Sequence, residues 1–327
     1  MDKIRWGILG TGNIATRFAE GLMALPDAEL VAVGSRSQSS VDSFGYEFDV
    51  PHRHASYAAL AGDPDVDVVY VATPHPFHRE HSILCLESGK PVLCEKPFAI
   101  NASEAEDVIT LAREKGLFLM EAMWTRFLPL LVEVRELLAE GAIGEVRALF
   151  ADFGFRTAFD PQSRLFDPHL GGGALLDVGV YPVSLASMVF GAAPSRINGM
   201  AHLGQTGVDE QSAVILGYDQ GQLAILAAAV RTEMPQEAVL IGTEGQIRIH
   251  TPWWRPTTLT LSRAGQEDES LHLPYEGNGY NYEAAAVMDC LRAGRTESDV
   301  MGLDETLAII QTLDRIRAQW GLRYPME

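Results

Sequence analysis

The 327-residue chain has only three cysteines, Cys85, Cys94 and Cys290. Their number is odd and their spacing fits no zinc pattern. That excludes a disulfide scaffold and suits buried free thiols in a reducing compartment. Positive charge is scarce as well: 25 Lys and Arg stand against 44 Asp and Glu, a formal net charge of −19. Such a surface offers no basic stripe to nucleic acid and no attraction to anionic membranes, and it favours solubility. No run of 18 or more apolar residues is seen, so no membrane span is expected. The opening Met1-Asp-Lys-Ile-Arg-Trp6 lacks a signal-peptide pattern and moves directly into a strand. These absences predict a cytoplasmic protein. What remains is an ordinary globular balance, 47% apolar and 21% charged, with length for two domains.

The first half alternates apolar strands with helices, which predicts a Rossmann-type, doubly wound parallel sheet. Ile4 to Leu9 is fit for a strand buried on both faces. It enters Gly10-Thr11-Gly12-Asn13-Ile14-Ala15, a G-x-G-x-x-A turn that opens an amphipathic helix. Gly10 permits the tight turn, Gly12 lets the backbone approach a pyrophosphate, and Ala15 keeps the helix close to the strand. The helix N-terminus offers unpaired N–H groups to phosphate. Gly10 to Ile14 are therefore expected cofactor contacts. The strand Glu29 to Gly34 ends in Ser35-Arg36-Ser37, where an acid would read a free ribose 2′-hydroxyl. A hydroxyl and an arginine suit a 2′-phosphate, so NADP is predicted over NAD.

Asp65 to Ala72 is another buried strand, and Thr73-Pro74-His75-Pro76-Phe77-His78 follows it. Two prolines suggest a rigid loop over the cofactor, with Thr73, Pro74 and His78 as candidate contacts and His78 starting the next helix. No cysteine or carboxylate stands there at ligand spacing, so no metal is expected. Val92-Leu-Cys-Glu95-Lys96-Pro97-Phe98 organises the chain. A charged pair at the carboxyl end of a buried strand lies where open α/β sheets bind ligands. Glu95 and Lys96 are expected beside a nicotinamide. Ser103 to Glu106 is predicted to be a capping box for a helix ending at Gly116. The predicted boundary lies near Ala122, with a dinucleotide-binding domain over 1–122 and a substrate-binding and dimerisation domain over 123–327.

Beyond that boundary Trp124 and Arg126 are candidates to wall a pocket, since ligand sites favour domain junctions. From Gly144 onward, short turns separate a series of strands, beginning with Val146 to Arg156, which predicts a large, mostly antiparallel, open-faced sheet with helices, an α+β domain. Small alternating residues at Ala224 to Ala229 leave a flat face to be covered. One face is expected to take a helix and the other a second subunit, making a homodimer or larger. Gly171-Gly-Gly-Ala-Leu-Leu-Asp177-Val-Gly179-Val-Tyr181-Pro182 is the second chemical stretch. Its glycines allow a loop to pass close to a ligand. Asp177 and Tyr181, four apart, would share one helical face. An acid and a phenol presented together suit a substrate clamp with a proton-transfer group.

Taken in this order, Gly10-x-Gly12-x-x-Ala15, Glu95-Lys96-Pro97 and Gly-Gly-x-Leu-x-Asp177-x-Gly179-x-Tyr181 resemble the glucose–fructose oxidoreductase and inositol dehydrogenase family, over essentially the whole chain. The resemblance implies that Lys96 sits at the nicotinamide and that Asp177 and Tyr181 touch substrate. Most members end the last motif in histidine. Tyr181, with Glu121-Ala-Met-Trp124-Thr-Arg126-Phe127, looks like the branch holding dihydrodiol and NADP-dependent D-xylose dehydrogenases. A tyrosine titrates near 10, roughly, too high for a good base at neutral pH, and the Lys96 ammonium would lower it. Lys96, Tyr181 and Asp177 are then the expected catalytic residues. Trp124, Phe155 and one of Trp253 or Trp254 are expected to stack on a ring, and Arg126 or Arg156 to bind hydroxyls or an acid group. The expected activity is hydride transfer between NADP and an aldose or a vicinal dihydrodiol. The alternatives are an NADPH-dependent keto-sugar reductase and a non-catalytic dinucleotide sensor.

Overall fold

The computed structural model describes residues 3–327. Those residues form two compact units, one reaching to Phe127 and including Glu276–Leu307, the other Leu128–Tyr275 with Ala308–Glu327. The domain line expected near residue 122 thus does not cut the chain into two continuous pieces. Residues 276–307 return to the first unit. There the Asn278 side chain donates to Arg17 O at 2.7 Å, Arg292 pairs with Asp27 at 2.7 Å, and Leu119 N donates to Thr296 O at 3.1 Å.

In the first unit, β1 (Ile4–Leu9), α1 (Asn13–Leu22), β2 (Ala28–Gly34), α2 (Gln38–Glu47), β3 (His52–His54), α3 (Tyr57–Ala61), β4 (Val68–Val71), α4 (His78–Glu87), β5 (Val92–Glu95), α5 (Ala102–Lys115) and β6 (Leu119–Ala122) follow in turn. The sheet is wholly parallel, in the order β3-β2-β1-β4-β5-β6. Every residue of β4, β5 and β6 is buried, as a parallel sheet covered on both faces requires. The reversal of winding between β1 and β4 is the switch point at which such sheets bind ligands. α5 is capped two residues earlier than its composition suggests. Asn101 Oδ1 accepts Glu104 N at 2.9 Å, and Glu104 Oε2 accepts Ile100 N at 3.3 Å. That is a capping box built on Asn101 rather than Ser103. Gly116 ends the helix at φ +62°.

The second unit opens with α6 (Pro129–Ala139) and β7 (Val146–Gly154). A π-helical turn, Leu175–Gly179, runs into α7 (Val180–Phe190). Strands β8 (Arg196–Leu203), β9 (Asp209–Gly217), β10 (Leu223–Ala229), β11 (Ala238–Gly242), β12 (Gly245–Ile249), β13 (Thr258–Arg263) and β14 (Glu269–His272) follow. α8 (Tyr280–Arg292) belongs to the first unit, and α9 (Leu303–Ala318) begins there and continues in the second. The eight-stranded sheet, β14-β13-β12-β11-β7-β10-β9-β8, is antiparallel except where β10 lies parallel to β7. The α7 segment covers one face, against β7 and β10. Register sets Val239, Phe150, Ile225 and Ile215 in a row on the other face, where Phe150, Ile215 and Leu223 stay exposed.

The stretch Pro168–Phe190 is long and apolar enough to be weighed as a membrane span. Its mean hydropathy of 1.5 over an 18-residue window is sufficient by length and composition, yet 78% of that window is buried within the protein. It is a core helix.

Candidate active site

In the first unit, the turn after β1 divides its two glycines by purpose. Gly10 has φ +118°, and a Cβ there would stand 2.7 Å from Ala72 O, so the fold itself demands glycine. Gly12 caps α1 with ordinary extended backbone and no side-chain cap, and a Cβ there would meet no protein atom within 4 Å. Internal packing gives no reason for that second glycine. Close approach of a phosphate does, and the uncapped N-terminus fits it. Ala15 is fully buried. Beside Thr11 a groove of about 320 Å³ is lined by Thr16, Ser39, Ser40, Ser43, Phe44 and Glu47. Asn13 and Ile14 follow in the first turn of α1. Ser35 is buried, its N–H bonded to His54 O at 3.0 Å, and Arg36 is exposed.

Thr73 and His78 prove to be fastenings. His78 is wholly buried, with Nε2 2.7 Å from Thr73 O and Nδ1 2.8 Å from Pro97 O. Burial pushes its pKa down to about 4, against the pull of both carbonyls. The expectation that His78 contacts cofactor is corrected, because both ring nitrogens face backbone and none of the ring reaches the surface. Its effect is to tie the loop after β4 to the turn after β5. Thr73 Oγ1 meets His81 Nδ1 at 3.0 Å, while Pro74 is exposed. Glu95 is buried at the end of β5. It accepts from the Tyr70 hydroxyl and, at 3.1 Å, from Lys96 N. Lys96 is half-buried beside it.

Two further residues change standing. Arg126, expected to bind substrate, is 3% exposed and donates to Val300 O at 3.1 Å and Glu305 Oε1 at 2.7 Å. A buried guanidinium needs such partners, so Arg126 is structural. Trp124 is buried and stacks on Tyr280, ring centres 4.6 Å apart.

In the second unit Tyr181 is buried edge-on to Phe153, at 5.3 Å and 64°. Phe153 stacks on Trp254 at 4.8 Å and 7°, and Trp254 Nε1 donates to Gln236 Oε1. This is an aromatic wall ending in a phenol. Of the two tryptophans left open, Trp253 is core, 1% exposed and bonded to Asp152 O, which leaves Trp254 in the wall. Phe155 is half-buried two residues beyond Phe153, and Arg156 is exposed. Asp177 is buried and paired with Arg164 at 2.7 Å. It lies in the π-helical turn that runs directly into α7, where Tyr181 lies. The glycines answer to the protein rather than to a ligand. A Cβ on Gly172 would fall 2.9 Å from Asp167 O and Leu165 O, and one on Gly173 2.3 Å from Asp209 Oδ1. Asp209 accepts Leu175 N at 2.7 Å, and Tyr324 donates to Gly172 O at 2.9 Å.

Two family models match this architecture. An oxidoreductase family with an NAD-binding Rossmann fold matches residues 4–123, and the GFO/IDH/MocA C-terminal domain matches 131–248. A trans-1,2-dihydrobenzene-1,2-diol dehydrogenase of Mus musculus is 38% identical over 99% of both chains. The chain belongs to the GFO/IDH/MocA oxidoreductase family. Among solved structures, an aldose-aldose oxidoreductase of Caulobacter crescentus complexed with glycerol is similar at 25% identity and TM-score 0.88, covering 98% of each chain. A 3-ketoreductase of Actinomadura kijaniata in complex with NADP and TDP-benzene is similar at 28% identity and TM-score 0.85, covering 97% of this chain and 98% of that one.

The family assignment makes the glycine division testable. Gly12→Ala should leave the melting temperature unchanged while weakening dinucleotide binding in a fluorescence titration. Gly10→Ala should lower the melting temperature, because that glycine's left-handed backbone and its 2.7 Å approach to Ala72 O are the protein's own. Asp209 and Tyr324, invisible to sequence reasoning, act through partners 34 and 152 residues away, and no local motif marks them.

Proposed function

We propose that the chain is a soluble, cytoplasmic, NADP-preferring dehydrogenase that moves hydride between the cofactor and a CH–OH carbon of a vicinal dihydrodiol or an aldose. The observation that carries this reading is the Tyr181 phenol at the end of the Phe153–Trp254 wall, with buried Asp177 in the preceding turn. An aromatic wall suits the face of a sugar or a cyclic diol, and a phenol beside it suits proton transfer. Full-length likeness to a dihydrodiol dehydrogenase supports the substrate class. Three buried free cysteines suit a reducing compartment.

In this reading a bound nicotinamide supplies the hydride acceptor or donor. Gly10 to Ile14 hold the diphosphate against the N-terminus of α1. Ser35 and Arg36 bind the 2′-phosphate. Thr73, Pro74 and Glu95 shape the nicotinamide end. Lys96 favours the phenolate of Tyr181, and Tyr181 takes the hydroxyl proton as the carbon gives up hydride. Asp177, paired with Arg164, accepts from a neighbouring substrate hydroxyl. Phe155 and Trp124 complete the apolar lining, and Arg156 meets hydroxyls or an acid group. Two such chains pair through the apolar sheet face bearing Phe150, Ile215 and Leu223.

A steady-state screen of diols, aldoses and keto-sugars with NAD and NADP tests the assignment. Turnover of a diol or aldose with NADP is expected, and flat nicotinamide absorbance across the whole panel would return the chain to the sensor reading. Likeness to the 3-ketoreductase favours a second reading, reduction of a keto-sugar, and the same screen run with NADPH separates the two. Arg36→Ala should raise KM for NADP by about 10- to 100-fold, the worth of one charged hydrogen bond, and leave KM for NAD unchanged.

A further inference from the structure

The outer edge of the parallel sheet carries a cluster that the proposed reaction does not use. β3 is three residues long, and strand alternation puts His52 and His54 on one face. His52 Nδ1 lies 2.7 Å and His54 Nε2 2.8 Å from the same atom, Asp63 Oδ2. One ligand atom from each of the three residues falls within 4.8 Å of the others. The second oxygen of Asp63 accepts Asp65 N at 2.9 Å, so the carboxylate is held in its orientation.

A single imidazole would be enough to tie a short edge strand to Asp63. Two imidazoles that bring different nitrogens to one oxygen make a ligand set. The Asp63 side chain is 3% exposed, whereas His52 keeps 38% and His54 24%, so an ion can enter from solvent. Behind His52, Nε2 is 3.9 Å from Asp65 Oδ2, and Asp65 is itself held by Arg5 at 2.9 Å. A carboxylate behind an imidazole is the outer shell that orients metal-bound histidines.

We propose that His52 Nδ1, His54 Nε2 and Asp63 Oδ2 form a site for a divalent transition-metal ion of the zinc class, with water completing the coordination. Two nitrogens and one oxygen suit zinc far better than calcium or magnesium, which take oxygen ligands. Zinc–ligand bonds of about 2.0–2.2 Å set tetrahedral ligand atoms roughly 3.3 Å apart. The imidazoles must therefore retreat from Asp63 by about half an ångström, which side chains on an exposed edge strand can do. The site braces the cofactor-binding end of the unit. His52 and His54 pair with Ala32 and Gly34 of β2, and His54 O receives Ser35 N at 3.0 Å. The proposal does not depend on the dehydrogenase reading.

Tag-free, full-length protein stripped by a chelator and titrated with Zn²⁺ against a chromophoric competitor tests it. The wild type should bind one equivalent and melt at a higher temperature with Zn²⁺, while Ca²⁺ and Mg²⁺ produce neither effect. His54→Gln and His52→Gln keep an N–H for Asp63 and should preserve the metal-free melting temperature. Each should lose the Zn²⁺-induced rise and weaken binding by more than about 100-fold, with Asp65→Asn costing about 10-fold, the range of an outer-shell partner. Absence of saturable Zn²⁺ binding by the wild type would overturn the site. So would undiminished binding by the double variant His52→Gln/His54→Gln, or equal competition by Ca²⁺.

Discussion

Tyr181→Phe should lower kcat by about 10²- to 10⁴-fold, the usual worth of a positioned general acid or base, with dinucleotide affinity unchanged. The substitution removes one oxygen and keeps the ring, so the edge-on contact with Phe153 and the stack of Phe153 on Trp254 survive. A loss in KM alone would mean that the hydroxyl only binds substrate. Lys96→Met supplies the companion measurement. If the ammonium works by favouring the phenolate, it loses its purpose once the phenol is gone. The double variant Lys96→Met/Tyr181→Phe should then be little worse than Tyr181→Phe, where independent groups would multiply their losses. The pH profile separates them further. With the phenol as base in the oxidation direction, kcat/KM should climb as pH rises through its titration, and Lys96→Met should move that climb to higher pH as the cation's help is lost. Turnover undiminished in Tyr181→Phe would remove the phenol from the mechanism.

Much of the first unit was readable because its instructions are local. A strand buried on both faces, a glycine forced to positive φ and a helix opening on Asn13 stand next to one another in the chain. The strands of the second unit were readable by alternation and turn chemistry for the same reason. Partners that come from far away were not. Arg126 beside Trp124 reads as pocket lining, and only Glu305, 179 residues later, shows it to be a buried guanidinium held in an ion pair. His78 reads as a cofactor contact until Thr73 O and Pro97 O are seen to occupy both ring nitrogens. The three glycines before Asp177 suggest ligand approach, yet Gly173 is there because Asp209 presses on it from the start of β9. Of the aromatic residues on β7 and just beyond it, Phe153 meets both Tyr181 and Trp254, a choice made by a tryptophan about a hundred residues away.

The same long-range burial leads to the largest effect expected on the fold itself: stability should fall as pH rises through neutrality. Glu121 in the first unit and Asp209 in the second are fully buried. Burial pushes each carboxyl up to about 7, against the N–H bonds from Phe98 and Leu175 respectively. Burial drives Glu283 well above the ordinary carboxyl range, and the charge of Glu95 adds to this. Neither Glu283 oxygen has a hydrogen-bond partner. All three folded-state values lie above the unfolded value of roughly 4. Over that interval the folded chain keeps protons that the unfolded chain has released, so the contribution is complete below about pH 4 and lost as pH climbs through about 7. For Asp209 alone the loss is on the order of 4 kcal/mol. At about 2–4 °C per kcal/mol, the melting temperature should drop by on the order of 10 °C between about pH 5.5 and 8.5. Asp209→Asn and Glu121→Gln, neutral and nearly isosteric, should flatten that decline in melting curves taken at constant ionic strength. Surface repulsion at a net charge of −19 predicts a decline of the same sign. Added salt would erase that decline but leave the buried contribution in place. A slope abolished by salt and untouched in both variants would place the effect on the surface and refute the assignment to these carboxyls.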